Sequence, residues 1–372
     1  MGYAEYFNFL HINVFIYAVQ ILIGLIGNGM TLAILLSRGM RNKTSYLLAS
    51  VAVYDVCFLL SMAPLNMLSV RFTNPNFEEI KLWLHQHWHG HLLAITNWMA
   101  TTSLWTVLAV SVERLVAVRY PLKIRYLWTY RRLLYTMAAI FSVSFVMTLN
   151  YHFDKGYYIK ERNITTAHNR TLVVTVMCSD PQHSVFSSIA VTLQAVFGVV
   201  LPLCALIVSN SWLMYALWQH NTENEFELKP MPSTSAATQR ATTSRLLVPS
   251  ASTGHQASSV DDNNERRASA NQCSVAITVC TVSAWYTFTH LPSAILMVPA
   301  LLYHSESYTL WYCLAISNCL VVTGKISNFF LLTISSTRFR TQLITTVSCR
   351  PSFSVAQPQR SQTAAGAIGL HP

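Results

Sequence analysis

The 372-residue chain is 52% hydrophobic and only 11% charged, with a formal net charge of +10; soluble domains carry about 25% charged residues. That composition suits lipid rather than water and excludes an ordinary soluble domain. The positive balance calls for no nucleic-acid partner, since membrane topology and contact with anionic lipid account for it.

A spanning helix needs about 20 mostly apolar residues to cross about 30 Å of hydrocarbon. Seven stretches qualify, near 13–36, 46–70, 88–117, 132–151, 185–218, 274–301 and 308–334. In lipid each must be a helix, because unpaired backbone groups go unhydrated there. The first stretch is too long for a cleavable signal peptide, and the basic residues after it hold it as an anchor. The expected organisation is an outer tail at 1–12, a seven-helix domain at 13–345 interrupted by a disordered loop at 219–272, and a disordered tail at 346–372. With so short an outer tail, a ligand must meet the loops or the helical bundle itself.

The loops set the orientation. With the first tail outside, the inner segments carry seventeen Lys and Arg against six in the outer ones. That asymmetry satisfies the positive-inside rule and puts the C-terminus in the cytoplasm of a multi-pass plasma-membrane protein. Between the fourth and fifth stretches, Tyr157-Tyr158-Ile159 and Leu172 to Val176 are β-prone runs around a polar turn, which predicts a hairpin. Asn163 and Asn169 head glycosylation triplets on the outer side, whereas Asn42-Lys43-Thr44 faces the cytoplasm. Residues 219–272 are rich in Ser, Thr, Ala, Gln and Asn and lack apolar periodicity. Within them Arg266-Arg267-Ala268-Ser269 reads either as a kinase site on Ser269 or as the basic flank of the sixth helix.

Charge at membrane depth costs about 2.5–3.5 kcal/mol on insertion scales and asks for a reason. Asp55, Lys325 and the pair Glu113-Arg114 are such charges. His85, His87, His89 and His91 form interleaved i, i+4 pairs if the third helix reaches that far. Without an accompanying Cys or carboxylate cluster they read as an interfacial belt with Trp83 and Trp88 rather than a zinc site, so neither metal nor cofactor is expected.

The run from Trp105 through Glu113-Arg114-Leu115 to Pro121-Leu122 resembles the third-helix signature of rhodopsin-like G-protein-coupled receptors. Further landmarks fall in family order: Gly27-Asn28, Leu48 to Asp55, Pro202, Pro292, then Asn328-Phe329-Phe330 followed by Arg338-Phe339-Arg340 on a short amphipathic helix. The resemblance covers all seven stretches. It implies an all-α seven-helix bundle with a short eighth helix that binds an extracellular ligand and activates a heterotrimeric G protein, with arrestin as a further partner. In the family the Arg is latched by its acidic neighbour and contacts the G protein when released, roles that fall here to Glu113 and Arg114, with Pro121 and Leu122 as loop contacts. The family encloses a sodium ion between positions matched here by Asp55, Ser103 and Asn328. Lys325, one turn from Asn328, either pairs with Asp55 in place of that ion or points to water and backbone carbonyls. Asp55, Ser103, Glu113, Arg114, Pro202, Pro292, Lys325 and Asn328 are thus the expected activation switch.

The chain also departs from the family. Leu115 replaces a Tyr, and the fourth helix lacks its Trp. Thr289-His290-Leu291-Pro292 stands for Cys-Trp-x-Pro, and Asn328 is not followed by Pro. The family ties an outer-loop cysteine to the top of the third helix, but where Cys178 would find its partner stands His89. Cys178 is then free or pairs with Cys313. Cys349, past the eighth helix, is a candidate for palmitoylation or a plain thiol. Thr96 replaces the Asp of amine receptors, and Val322 the retinal lysine of opsins. The hairpin loop and aromatic pocket resemble peptide receptors, most closely invertebrate FMRFamide-type neuropeptide receptors. Pocket candidates are Thr96, Asn97, Ala100, Gln194, His290, Ser293 and Asn318. A transporter and a receptor-like protein that no longer signals are the competing readings. No internal repeat supports the first. No cluster of the His-Glu-x-x-His type points to an enzyme.

Overall fold

A computed structural model of the chain describes residues 3–68, 75–153, 157–165, 171–179, 185–227, 255–303 and 308–348. Helices α1 (Tyr3–Leu35), α2 (Lys43–Leu68) and α3 (Pro75–Arg119) are followed by the short α4 (Pro121–Leu127), then α5 (Tyr130–Thr148) and the single turn α6 (Asn150–Phe153). Strands β1 (Tyr157–Thr165) and β2 (Thr171–Ser179) pair antiparallel, Tyr157 opposite Ser179 and Thr165 opposite Thr171, giving the expected hairpin. The fifth crossing is continuous through α7 (Val185–Leu193), a π-helical turn (Gln194–Val200) and α8 (Leu201–Glu227). The sixth is α9 (His255–Tyr303), and the seventh is α10 (Tyr308–Ile326) with α11 (Asn328–Ser335); α12 (Thr337–Val347) completes the chain order.

Five of these helices are long and apolar enough to cross a membrane, and a sixth crossing qualifies when the bent α10–α11 pair counts as one. The stretch in α9 falls short because Thr, Ser, Trp, Tyr and His punctuate it. Those of its polar residues that matter below, Ser283, Tyr286, Thr289 and His290, are all buried in the bundle. The bundle is accordingly apolar outside and polar within. Phe15, Leu22, Tyr135, Val208 and Ile334 are exposed, while Asn28, Asp55, Thr102, Ser103, Ser111 and Lys325 are fully buried, as a lipid sleeve around a polar interior requires.

Local chemistry shapes the breaks. Pro202, at the start of α8, has no N–H to give its preceding turn, and the π-helical turn lies immediately before it. Between α10 and α11 the axis turns by 45°. There the Ser327 hydroxyl donates to the Thr323 carbonyl at 2.5 Å, a back-bond that bends helices where no proline is present. Ser336 caps α12 by accepting the Phe339 N–H at 3.2 Å. Phe339 is buried among Ile34, Leu35 and Leu332, which pins the amphipathic helix to the bundle.

Three boundaries differ from the expected ones. Helix α1 begins at Tyr3, inside the expected tail. Helices α8 and α9 run into the stretch expected to be disordered, leaving only 228–254 outside the described residues. Helix α3 begins at Pro75, so all four closely spaced histidines are helical. His85 and His89 stack at 4.4 Å, and His91 meets His152 with Nδ1 atoms 2.8 Å apart. Among the described residues no group of three or more His, Cys, Asp or Glu is placed to hold a metal.

Candidate functional site

Four crossings converge on Asp55. The α2 register puts this carboxylate at the bundle axis, with no exposed surface. Oδ1 accepts from the Ser103 hydroxyl of α3 at 2.7 Å and from Lys325 Nζ of α10 at 2.9 Å, while Oδ2 accepts from Asn328 Nδ2 of α11 at 2.8 Å. The 45° turn at Ser327 lets Lys325 and Asn328, on successive helices, address the same carboxylate. Lys325 is itself fully buried. Its ammonium lies 4.8 Å from the centre of the Phe58 ring and 5.2 Å from that of Tyr286, so two π-faces replace the water it has lost. Of the two readings open for Lys325, the structure has the pair with Asp55.

The fourth crossing contributes a residue that sequence reasoning missed. Tyr286 of α9 is fully buried; its hydroxyl accepts from Lys325 Nζ at 2.6 Å and lies 2.7 Å from Ser103 Oγ and 3.4 Å from Asp55 Oδ1. A tyrosine in an apolar run reads as core, and only its place six residues before Pro292, in a helix rich in interior polar groups, hinted otherwise. Asn28 of α1 donates to the carbonyls of Gly24 at 3.0 Å and Lys325 at 3.2 Å, fastening α1 to the same level.

Towards the end of the bundle opposite the hairpin, Glu113 is almost wholly buried. Arg114 folds back on it, Nε to Oε2 at 2.5 Å, and also donates to the Thr44 hydroxyl of α2, which reaches Glu113 Oε2 at 3.2 Å. Among the described residues Arg114 makes no hydrogen bond or ion pair with a side chain of α9. Thr44 is the unforeseen partner; its triplet signalled only a glycosylation pattern. Pro121 opens α4, but its side chain and that of Leu122 lie outside the described residues, as do Cys349, Asn169 and the side chains of Asn163, Cys178 and Ser269. Cys313 is a free thiol, so its pairing with Cys178 is not formed.

The pocket candidates divide. Thr96 is turned into the α2–α3 seam, its hydroxyl held by the Leu92 carbonyl at 2.8 Å and Ser61 at 2.9 Å, and Ala100 packs beside Met99 and Phe58. Asn97 is half-buried and donates to the Leu93 carbonyl at 2.9 Å. Gln194, on the π-helical turn, is buried with Oε1 unpartnered. His290 is buried and stacks on Tyr286, ring centres 4.2 Å apart and planes 13° apart. Its Nδ1 lies 2.9 Å from the Tyr286 carbonyl, an acceptor only, so Nδ1 carries the proton and the unpartnered Nε2 is left as an acceptor. Ser293 is half-buried, and the exposed Asn318 lies two turns from Lys325 on the same face of α10.

A polar cluster crossing a seven-helix bundle, with an Arg folded onto its acidic neighbour at one end, defines a class of membrane receptor. The family model of the 7 transmembrane receptor (rhodopsin family) matches residues 27–324, and the chain belongs to that family: multi-pass membrane proteins that signal and are not enzymes. It is similar to the putative G-protein coupled receptor F59B2.13 of Caenorhabditis elegans, 26% identical over 340 residues that make up 88% of this chain and 71% of that protein. It is also similar to the galanin-like G-protein coupled receptor npr-9 of the same organism, 26% identical over 204 residues, 55% of this chain and 45% of that protein. Galanin receptor type 3 of Mus musculus is 32% identical over 146 residues, 35% of this chain and 37% of that protein. The matches to the two galanin-type relatives thus cover less than half of either.

Proposed function

We propose that this chain is a G-protein-coupled receptor for a neuropeptide that enters from the hairpin end, and that it activates a heterotrimeric G protein at the end carrying Arg114. The N-terminus is outside, the C-terminal tail is cytoplasmic, and arrestin is a second inner partner. Asn163 and Asn169 then carry glycans, Ser269 is a phosphorylation site and Cys349 a lipidation site.

One observation carries the reading: charged and polar groups from α2, α3, α9, α10 and α11 meet at Asp55 with no exposed surface. Buried charge is retained where it serves a switch more readily than where it serves stability. The cluster sits between His290, whose buried Nε2 has no hydrogen-bond partner, and the Glu113–Arg114–Thr44 clamp. Lys325 supplies from within the chain the positive charge that a sodium ion gives other family members. The neuropeptide assignment is supported by the galanin-type relatives and by the hairpin between the fourth and fifth crossings.

The test is nucleotide exchange on purified Gαi, Gαs and Gαq, driven by a neuropeptide library over the receptor in lipid nanodiscs. Arg114→Ala should abolish peptide-driven exchange while leaving surface expression and peptide binding in place. Full exchange from that variant, or peptide-gated solute flux instead of exchange, would remove the reading.

A further inference from the structure

The hydrogen bonds around Asp55 form a closed ring. Lys325 Nζ donates both to Asp55 Oδ1 and to the Tyr286 hydroxyl oxygen. The Ser103 hydroxyl spends its hydrogen on Asp55 at 2.7 Å. The short Tyr286–Ser103 contact must therefore run the other way, with the phenol donating to Ser103 Oγ at 2.7 Å. Each hydroxyl accepts one bond and donates one. Tyr286 is the one residue of α9 in that ring among the described residues.

The other ties of α9 are weaker or point elsewhere. Ser283 donates to Asn210 of α8 at 2.7 Å, which joins α9 to a neighbour on its other flank. Thr278 reaches the Ser335 carbonyl of α11 at a marginal 3.4 Å. Past Thr278 the same end of α9, with Ser274, Val275 and Val279, lines a small cavity shared with Thr44 and Phe339. A mixed, largely apolar gap with few hydrogen bonds across it separates more readily than a buried ring of hydrogen bonds ending on an ammonium, because opening the ring strips a buried charge of a partner with no water to replace it.

We propose that Tyr286 is the latch that holds α9 closed in the unliganded protein, with the Asp55–Lys325 pair as its catch, so that one phenolic hydroxyl sets the level of ligand-independent signalling. This rests on the receptor reading for its signalling consequence, but not for its structural one. The hydroxyl is the only atom that Tyr286→Phe removes. The ring keeps its stack on His290 and its place beside Leu104 and Leu206, so the substitution tests the bond rather than the packing.

The experiment uses the full chain in lipid nanodiscs without ligand. Spin-labelled non-canonical residues replace Ser274 of α9 and Lys123 of α4, both exposed, and the distance between them is read by pulsed electron resonance beside nucleotide exchange on Gα. Tyr286→Phe is expected to move the population towards longer distances and to raise basal exchange about tenfold, the shift that losing one charge-assisted bond produces. The neutral pair Asp55→Asn with Lys325→Met removes the catch from the other side. It should open α9 to the same extent, and adding Tyr286→Phe to it should change neither readout further. This second arm stands if the single variant folds poorly. Distances unchanged from wild type in both arms, or a full additional opening when Tyr286→Phe is added to the neutral pair, would overturn the latch. Longer distances with no Gα activated would leave the latch standing and remove the G-protein reading.

Discussion

Replacing Lys325 by Met keeps an unbranched side chain one atom shorter and deletes its charge. Asp55 and Lys325 have no exposed side-chain surface, and their charged atoms are 2.9 Å apart. After the substitution the carboxylate keeps its bonds from Ser103 and Asn328 but loses its counter-charge, and Tyr286 loses its donor. Breaking a buried pair from one side costs about 3–5 kcal/mol, because the remaining charge is uncompensated; that is roughly two to four decades in the folded-to-unfolded ratio. Removing both charges, as Asp55→Asn with Lys325→Met, is close to neutral for the same reason, the desolvation of two ions having offset most of their attraction. The double variant should therefore recover most of what the single one loses. Equilibrium unfolding of the purified protein in mixed micelles of rising dodecyl sulfate fraction, run on all four members of the cycle, gives the coupling. A Lys325→Met protein as stable as wild type, or a double variant no better than the single, would refute the reasoning.

Two further outcomes follow from the same geometry. With the cation position filled by Lys325 Nζ, peptide affinity of the wild type should be the same in sodium as in N-methylglucamine buffer; a strong fall with added sodium in a binding assay would show that the ion still enters. At Gly324 an added Cβ would stand 2.2 Å from Thr289 Oγ1, so Gly324→Ala should destabilise by about 1–3 kcal/mol through overpacking of α9 on α10. Thr289 spends its hydroxyl on its own helix, so Thr289→Ala should relieve most of that loss in the same unfolding assay.

Much of the candidate site could be read from the chain because the bilayer makes polarity conspicuous. Asp55 and Lys325 stood out as charges in apolar runs, and their order along the chain put them in the second and seventh crossings. The partner of Lys325 stayed open because spacing along one helix says nothing of which neighbour it faces. Tyr286 and Thr44 were silent for a related reason: tyrosine and threonine occur in spanning helices without consequence, and only their neighbours on other helices give them one. Thr96 shows the converse, a position matched by family order whose hydroxyl is spent on Ser61 and its own helix.

The sequence by itself determined most of the crossings and the hairpin, since each follows from local composition and from the ban on unpaired backbone in lipid, whereas the more polar sixth crossing and the amphipathic last helix were placed by the order of the family landmarks. Helix ends were less legible, as the early start of α1 and α3 and the long α9 show, because polar residues continue a helix once its apolar part has formed one. Only the tertiary structure decided that Lys325 faces Asp55, that Tyr286 closes the ring, and that Thr44 of α2 joins the Glu113–Arg114 pair of α3. Those are contacts between helices far apart in the chain, fixed by the rotation of each helix about its axis. That rotation depends on how whole faces pack together.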